Sequence, residues 1–272
     1  MDRMSSGPKF RSDLYRGTAR FYDEFRLPCP RPLLDDLLVH ARTTGTGRLL
    51  DLACGTGQIA FGLASNFVEI WAVDQEPEAI ECARAKALRR GVENVRWIAG
   101  RAEDVDAEDC FELVTIGNAF HRLQRRVIAD SAMRWLVPGG HLALLWSNTP
   151  WTGSEQWQRV LADIVSDWTR KAATADRVPE NLYQHLADEP HTTILESAGF
   201  TIVRTFDFEA PHTWSVETLT GFMYSTSVLS QQALGRHVHE FESDVRRRLL
   251  VVEPEGVFRE EVSFSYTLAR RP

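Results

Sequence analysis

The sequence predicts an α/β fold: a doubly wound, mostly parallel sheet of seven strands with helical lid segments over one end. Three observations carry that prediction. Short apolar runs alternate with helical patterns across residues 48–147, the order that parallel strands and right-handed crossovers require. The first run ends in a glycine turn that opens a helix, Cys54-Gly55-Thr56-Gly57, and ligands bind at such strand ends in open α/β sheets. Two further runs, at 201–210 and 260–270, alternate apolar with polar residues after the regular order has ended. They fit a hairpin-like addition to the sheet edge.

Taken in order, residues 1–12 are polar and read as a flexible start. Residues 13–44 carry a helical pattern broken at Pro28, Pro30 and Pro32, and 43–47 is a polar turn. Residues 48–54 (RLLDLAC) form the first buried strand, 57–65 a helix and 69–74 (EIWAVD) the second strand. Pro77 opens a helix at the first-turn position it favours, and Gly91 ends it. Residues 95–100 and 111–118 are the third and fourth strands. A helix at 125–136 is stopped by Pro138-Gly139-Gly140, and the fifth strand occupies 141–147. Beyond Pro150 the pattern changes to a Trp-bearing helix at 153–174, a short helix at 192–198 before Gly199, and a helical stretch at 215–250. The chain thus divides into an N-terminal helical cap (1–45), a ligand-binding core (46–150), and late strands with a helical lid (151–272).

The 272 residues are 43% hydrophobic and 25% charged, enough apolar material for one large core. The net charge of -7 argues against a nucleic-acid partner. The densest basic run, Arg246-Arg247-Arg248, lies in a helical pattern with acids nearby and reads as a solvated face. The four cysteines form no C-x-x-C pair, which disfavours zinc and disulfides. No N-terminal stretch resembles a signal peptide and no apolar run approaches a membrane span. The expectation is a reduced, soluble, cytoplasmic protein with no membrane partner and no metal; a homodimer is compatible with it.

The glycine turn carries the chemistry. Gly55 and Gly57 let the backbone approach a ligand, and the helix that follows offers unpaired N–H groups. Asp74 ends the next strand, roughly 20 residues along, the spacing of an acid that accepts from ribose hydroxyls. Gly55-x-Gly57-x-x-Ala60 by itself satisfies the relaxed dinucleotide fingerprint. Asp51 tips the balance: an acid beside this turn repels a pyrophosphate and attracts a ligand with a cationic amino group. S-adenosylmethionine carries an α-ammonium and a sulfonium.

The segment Asp51-Leu52-Ala53-Cys54-Gly55-Thr56-Gly57 closely resembles the first motif of class I S-adenosylmethionine-dependent methyltransferases. The resemblance continues through Gly100-Arg101-Ala102-Glu103-Asp104, Phe111-Glu112-Leu113-Val114, Asn118-Ala119-Phe120-His121 and Leu136-Val137-Pro138-Gly139-Gly140. The Ala-Phe-His run is similar to a small-molecule subgroup that includes trans-aconitate-methyltransferase-like enzymes. The resemblance implies the class I methyltransferase fold, with S-adenosylmethionine as cofactor. It also implies that Asp51, Ala53, Gly55 and Gly57 line the methionine arm, with Asn118 near its end. Asp74 would bind the ribose, Gln75 would lie against the adenine, and Ala102 with Glu103 would meet the adenine edge. Arg101 departs from the acid common at its position, which leaves the adenine amino group to backbone contacts.

Methyl transfer from a sulfonium is an in-line displacement in which positioning supplies much of the acceleration. A hydroxyl or amine acceptor also loses a proton, and His121, just past the fourth strand, is the candidate base. A carboxylate acceptor would need none. The substrate pocket is expected from Tyr15, Phe21, Tyr22 and Phe25 of the cap, Trp151, and Trp214, Phe222, Met223 and Tyr224 of the lid. These residues suit a small, largely apolar acceptor presenting oxygen or nitrogen. Three other readings remain: a non-methylating, cyclase-like enzyme of the same fold; an RNA or protein methyltransferase; and an NAD(P)-dependent oxidoreductase. Asp51 and the lack of a Tyr-x-x-x-Lys pair weigh against the last.

Overall fold

Strands without a polar face must be covered on both sides, and the sheet is built around one of them. The computed structural model describes residues 10, 11 and 13–272. Most of the polar start read at 1–12 therefore lies outside the described residues. The sheet has seven strands: β1 (Arg48–Leu52), β2 (Glu69–Asp74), β3 (Val95–Ala99), β4 (Phe111–Gly117), β5 (Leu136–Ser147), β6 (Thr201–Trp214) and β7 (Phe258–Arg270). Their order is β3-β2-β1-β4-β5-β7-β6. The first five are parallel. β7 then runs antiparallel to β5, and β6 antiparallel to β7.

Successive residues of β1 serve opposite faces, as a strand dictates. Leu49 packs with Leu33 and Leu37 of α2 (Arg31–His40) and Leu63 of α3 (Gln58–Leu63). Leu50 and Leu52 pack instead with Ile128, Ala132 and Trp135 of α5 (Arg125–Trp135). Between β2 and β3 lies α4 (Pro77–Arg90), with Pro77 in its first turn and Gly91 closing it at φ 64°.

A third apolar cluster forms the lid. Trp157, Leu161 and Trp168 of α6 (Gln156–Lys171) meet Leu219 and Phe222 of α9 (Val216–Tyr224) and Phe241 and Leu249 of α11 (Val238–Val252). Between these run α7 (Leu182–Asp188), α8 (His191–Ser197) and the short α10 (Gln231–Leu234). The N-terminal helix α1 (Ala19–Phe25) joins the lid to the sheet. It is tied to α4 by a Lys86–Asp23 ion pair and by the Gly17 N–H, which donates to Glu78 at 2.8 Å. Arg177 clips the preceding turn by donating to the carbonyls of Leu14 and Ser227.

Three sequence expectations need correction. The fifth strand begins at Leu136, not at 141. Pro138-Gly139-Gly140 does not separate helix from strand but forms an irregularity within β5, where its pairing with β4 shifts register. Gly140 has no room for a side chain there, since a Cβ would lie 2.9 Å from the Val137 carbonyl oxygen. β6 continues beyond 210 to Trp214 and passes through Pro211, which an edge strand tolerates. The helical stretch at 215–250 is three helices, interrupted near Ser225–Ser230 and Gly235.

The close approach of α1 to α9 depends on Gly221. A Cβ at that position would sit 2.4–2.6 Å from three ring atoms of Phe25. Gly221→Ala gains about 1 kcal/mol of helix propensity but incurs an overpacking cost of about 1–3 kcal/mol. The steric cost should win, because the obstacle is an aromatic ring wedged between two helices. Urea denaturation should give a lower midpoint for Gly221→Ala; an unchanged or raised midpoint would contradict this packing account.

Candidate active site

The loops leaving β1, β2 and β4 converge on one edge of the sheet. Beyond β1 the backbone turns through left-handed conformations at Ala53 (φ 51°), Gly55 (φ 54°) and Gly57 (φ 84°) before α3 begins. At Gly57 the glycine is required by packing as well as by φ, because a Cβ would lie 2.5 Å from the Trp97 ring. At Gly55 the ring of Tyr22 lies over the turn, 3.5 Å from where a Cβ would sit. The first helix therefore covers the motif.

Two carboxylates bracket this turn. Asp74 holds it in shape: one oxygen accepts from the Gly55 N–H at 2.7 Å and the other from the Glu76 N–H at 2.9 Å. Asp51 is fully buried; its Oδ1 accepts from the Thr115 hydroxyl at 2.8 Å, while its Oδ2 has no partner. Burial pushes the Asp51 carboxyl up to about 7, against the lowering effect of the Thr115 hydroxyl. An unpaired buried carboxylate is costly, and a cation brought to the turn would relieve that cost.

Asn118, just past β4, also adopts a left-handed conformation (φ 52°), which asparagine tolerates better than most residues. Its side chain is pinned to β5, donating to Ser147 Oγ at 3.0 Å and accepting from the Ser147 N–H at 2.9 Å. A narrow cleft begins here, between Gln58 and Asn118 on the sheet side and Tyr22, Trp214 and Phe222 on the lid side.

Two charged groups that the sequence reading passed over also line this cleft. Arg26 enters from the residue after α1, and Glu260 from β7. Glu260 accepts from Trp214 Nε1 at 2.6 Å and Gln158 Nε2 at 2.7 Å; burial raises its carboxyl above the ordinary range. Neither residue sits in a sequence motif. The available signal for Glu260 was a charge placed two residues before the buried Val262 in an alternating strand.

The other expected site residues are more dispersed. Ala102 is buried and Glu103 half-buried after β3, where Glu103 accepts from the Gln124 N–H. Gln75 is exposed. Tyr15 lies under the Arg122 guanidinium, 4.5 Å away. Phe21, Phe25 and Trp151 pack at the edge of the lid cluster, Met223 and Tyr224 within it, and the Tyr224 hydroxyl donates to Glu242. His121 Nε2 accepts from Arg122 Nε at 3.0 Å, and its Nδ1 is buried without a partner. Burial, with the nearby Arg125 charge, lowers its basicity to about 4.

Comparison with known proteins bears on this geometry. A family model described as a methyltransferase domain matches residues 49–140, the segment that holds Asp51, Asp74 and Asn118. The match runs from β1 into β5, the part of the sheet that carries the glycine turn. Among the proteins this chain is similar to is the ubiquinone/menaquinone biosynthesis C-methyltransferase UbiE of Zymomonas mobilis. It is 26% identical over 62% of this chain and 74% of its own length. An uncharacterized methyltransferase of Mycobacterium tuberculosis is 31% identical over 53% of this chain, and the match spans about half of that relative, 55% of its length. In fold, the chain is similar to a solved protein of Bacillus halodurans C-125 described as a methyltransferase. That likeness has a TM-score of 0.55 at 19% identity and covers 88% of this chain and 98% of the other. Among the described residues no helix is long and apolar enough to cross a membrane.

The buried Asp51 has a measurable consequence for stability. Its carboxyl is higher in the folded protein, about 7, than in an unfolded chain, about 3.9. The stability it contributes is therefore present at low pH and lost as pH rises towards neutrality. In the protein without ligand, Asp51→Asn should raise the melting temperature at pH 8 by about 3 °C, and much less at pH 5. Equal shifts at both pH values would refute the assignment.

Proposed function

We propose that this chain transfers a methyl group from S-adenosylmethionine to a small-molecule acceptor held in the cleft between Asn118 and the lid. The observation that carries the cofactor reading is the unpaired, fully buried Oδ2 of Asp51 beneath the glycine turn. It suits a ligand with a cationic amino group and opposes a pyrophosphate. In this reading Asp51, Ala53, Gly55, Gly57 and Asn118 hold the methionine arm, Asp74 the ribose, and Gln75, Ala102 and Glu103 the adenine.

When bound, S-adenosylmethionine supplies a methyl on a positively charged sulfur, which keeps the bonding electrons as the acceptor's lone pair attacks from the opposite side. The protein's share is to align, to exclude water and to remove the acceptor's proton. Tyr22, Trp214 and Phe222 exclude water from the cleft. His121 is poorly suited to accept the proton, because its Nε2 lone pair is already engaged by Arg122 and its basicity is low. It serves the reading better as the support that holds Arg122 over Tyr15. Glu260 lines the cleft and carries a carboxylate of raised basicity, so it is the better proton acceptor for a hydroxyl or ammonium. The C-methylation named for the relative from Zymomonas mobilis needs the same help, because a carbon nucleophile also forms by loss of a proton.

The cofactor reading is tested by calorimetric titration of S-adenosylhomocysteine, with NADH in parallel. Micromolar binding of the former, weakened about 100-fold or more by Asp74→Ala, is the expected result; saturable NADH binding without it would replace the methyltransferase reading with a dehydrogenase. The proton acceptor is tested on an acceptor panel read by S-adenosylhomocysteine release. Glu260→Gln should lower kcat about 100-fold, the usual share of a general base, while leaving S-adenosylhomocysteine affinity intact. His121→Ala should cost less than about 10-fold. The reverse ranking would restore His121 as the base.

A further inference from the structure

Of the two charged residues that line the cleft, Arg26 and Glu260, the proposed mechanism uses only Glu260. The Arg26 guanidinium is half-buried and lines the cleft opposite Asn118. Its Nε–H donates to Ser225 Oγ at 2.7 Å; that hydroxyl, fully buried, donates in turn to the Phe222 carbonyl. Gln58 Nε2 donates to the Arg26 carbonyl at 3.0 Å and fixes the backbone. Phe222 and Tyr22 flank the charge at 4.3 Å and 5.2 Å.

What the guanidinium lacks is an anion. Among the described residues no carboxylate lies within ion-pair distance of it, and neither Nη atom makes a hydrogen bond. The other charge of the cleft, Glu260, accepts from Trp214 and Gln158 and forms no ion pair with Arg26. The two aromatic faces offset only part of the cost of withdrawing the cation from water. Burial accordingly lowers the Arg26 pKa. A rigid fork whose Nε–H is fixed on Ser225 and whose two Nη groups stay free has one edge that receives a planar carboxylate through two parallel hydrogen bonds.

We propose that Arg26 is a carboxylate-binding residue, completed only when a ligand fills the cleft. This rests on the methyltransferase reading above, which supplies two sources of a carboxylate: the methionine arm of the cofactor and the acceptor. In either case Arg26 and Asp51 flank the cofactor turn as complementary charges, the acid placed for an ammonium and the arginine for a carboxylate.

The test uses the full chain with Arg26→Gln and Arg26→Lys. The probes are S-adenosylhomocysteine, 5′-methylthioadenosine, which lacks the amino acid group, and benzoate added to protein saturated with S-adenosylhomocysteine. If the cofactor supplies the carboxylate, Arg26→Gln weakens S-adenosylhomocysteine at least about tenfold. It leaves 5′-methylthioadenosine unchanged, and Arg26→Lys falls between. If the acceptor supplies it, S-adenosylhomocysteine binds both proteins alike, but benzoate binds only the one with Arg26. The unliganded Arg26→Gln protein should melt no lower than the parent, because it loses an unpaired cation; a large drop would mark the arginine as structural. Equal binding of every probe to parent and variant overturns the proposal while leaving the methyltransferase reading intact. A parent protein that binds neither nucleoside overturns that reading instead.

Discussion

Parallel pairing of β1 with both β2 and β4 is the constraint from which the site follows. Parallel neighbours cannot be joined by tight turns, so each crossover must travel the length of the sheet. All three strands consequently deliver their outgoing loops to the same edge. Asp51, Asp74 and Asn118 are far apart in sequence yet meet there because the register places Asp51 beside both Ala72 and Thr115. The left-handed turns at Ala53 and Asn118 redirect the chain immediately after β1 and β4. They are local strain of the sort that persists where surrounding structure over-determines it.

The second half of the site has a different origin. It is made by helices that would be only a cover if the sheet stood alone. α1 is held between Gly55 of the core and Gly221 of α9, two glycines that present it with bare backbone. That double contact brings Tyr22 and Arg26 to the cleft together. The charges of the site are thereby divided between layers. The acids of the glycine turn belong to the sheet, and the arginine belongs to the cap.

How much of this was legible in the sequence depended on whether a residue acted through a local rule. Pro77 and Gly91 marked the ends of α4 because proline at the first turn and glycine in a left-handed cap act on their own backbone. The glycine turn and its two acids were legible for the same reason. The Pro138-Gly139-Gly140 run was read as a break because its local preference is to turn; only pairing of Leu136 with Phe111 makes it part of a strand. The alternating pattern was read only to Ala210, and the continuation of β6 through Pro211 rests on the strand's place at the sheet edge. Arg26 and Glu260 had no local signature, since a lone charge near a helix end or in an alternating strand reads as solvated. Their position is a property of tertiary packing alone. His121 was singled out by its place after β4, but its partners, Arg122 and the nearby Arg125 charge, decide what its nitrogen can do.

The insertion of β7 between β5 and β6 has a consequence for the chain as it leaves the ribosome. β1 to β5 can assemble as a unit once Ser147 has emerged, but the free side of β5 then stays an open edge. β6 follows more than fifty residues later and does not close that edge, because among the described residues it pairs only with β7. Until Phe258–Arg270 is synthesised, the nascent chain therefore carries unpaired strand edges, and such edges invite pairing with other chains. A chain stopped anywhere between β6 and β7 would be the most aggregation-prone form of this molecule.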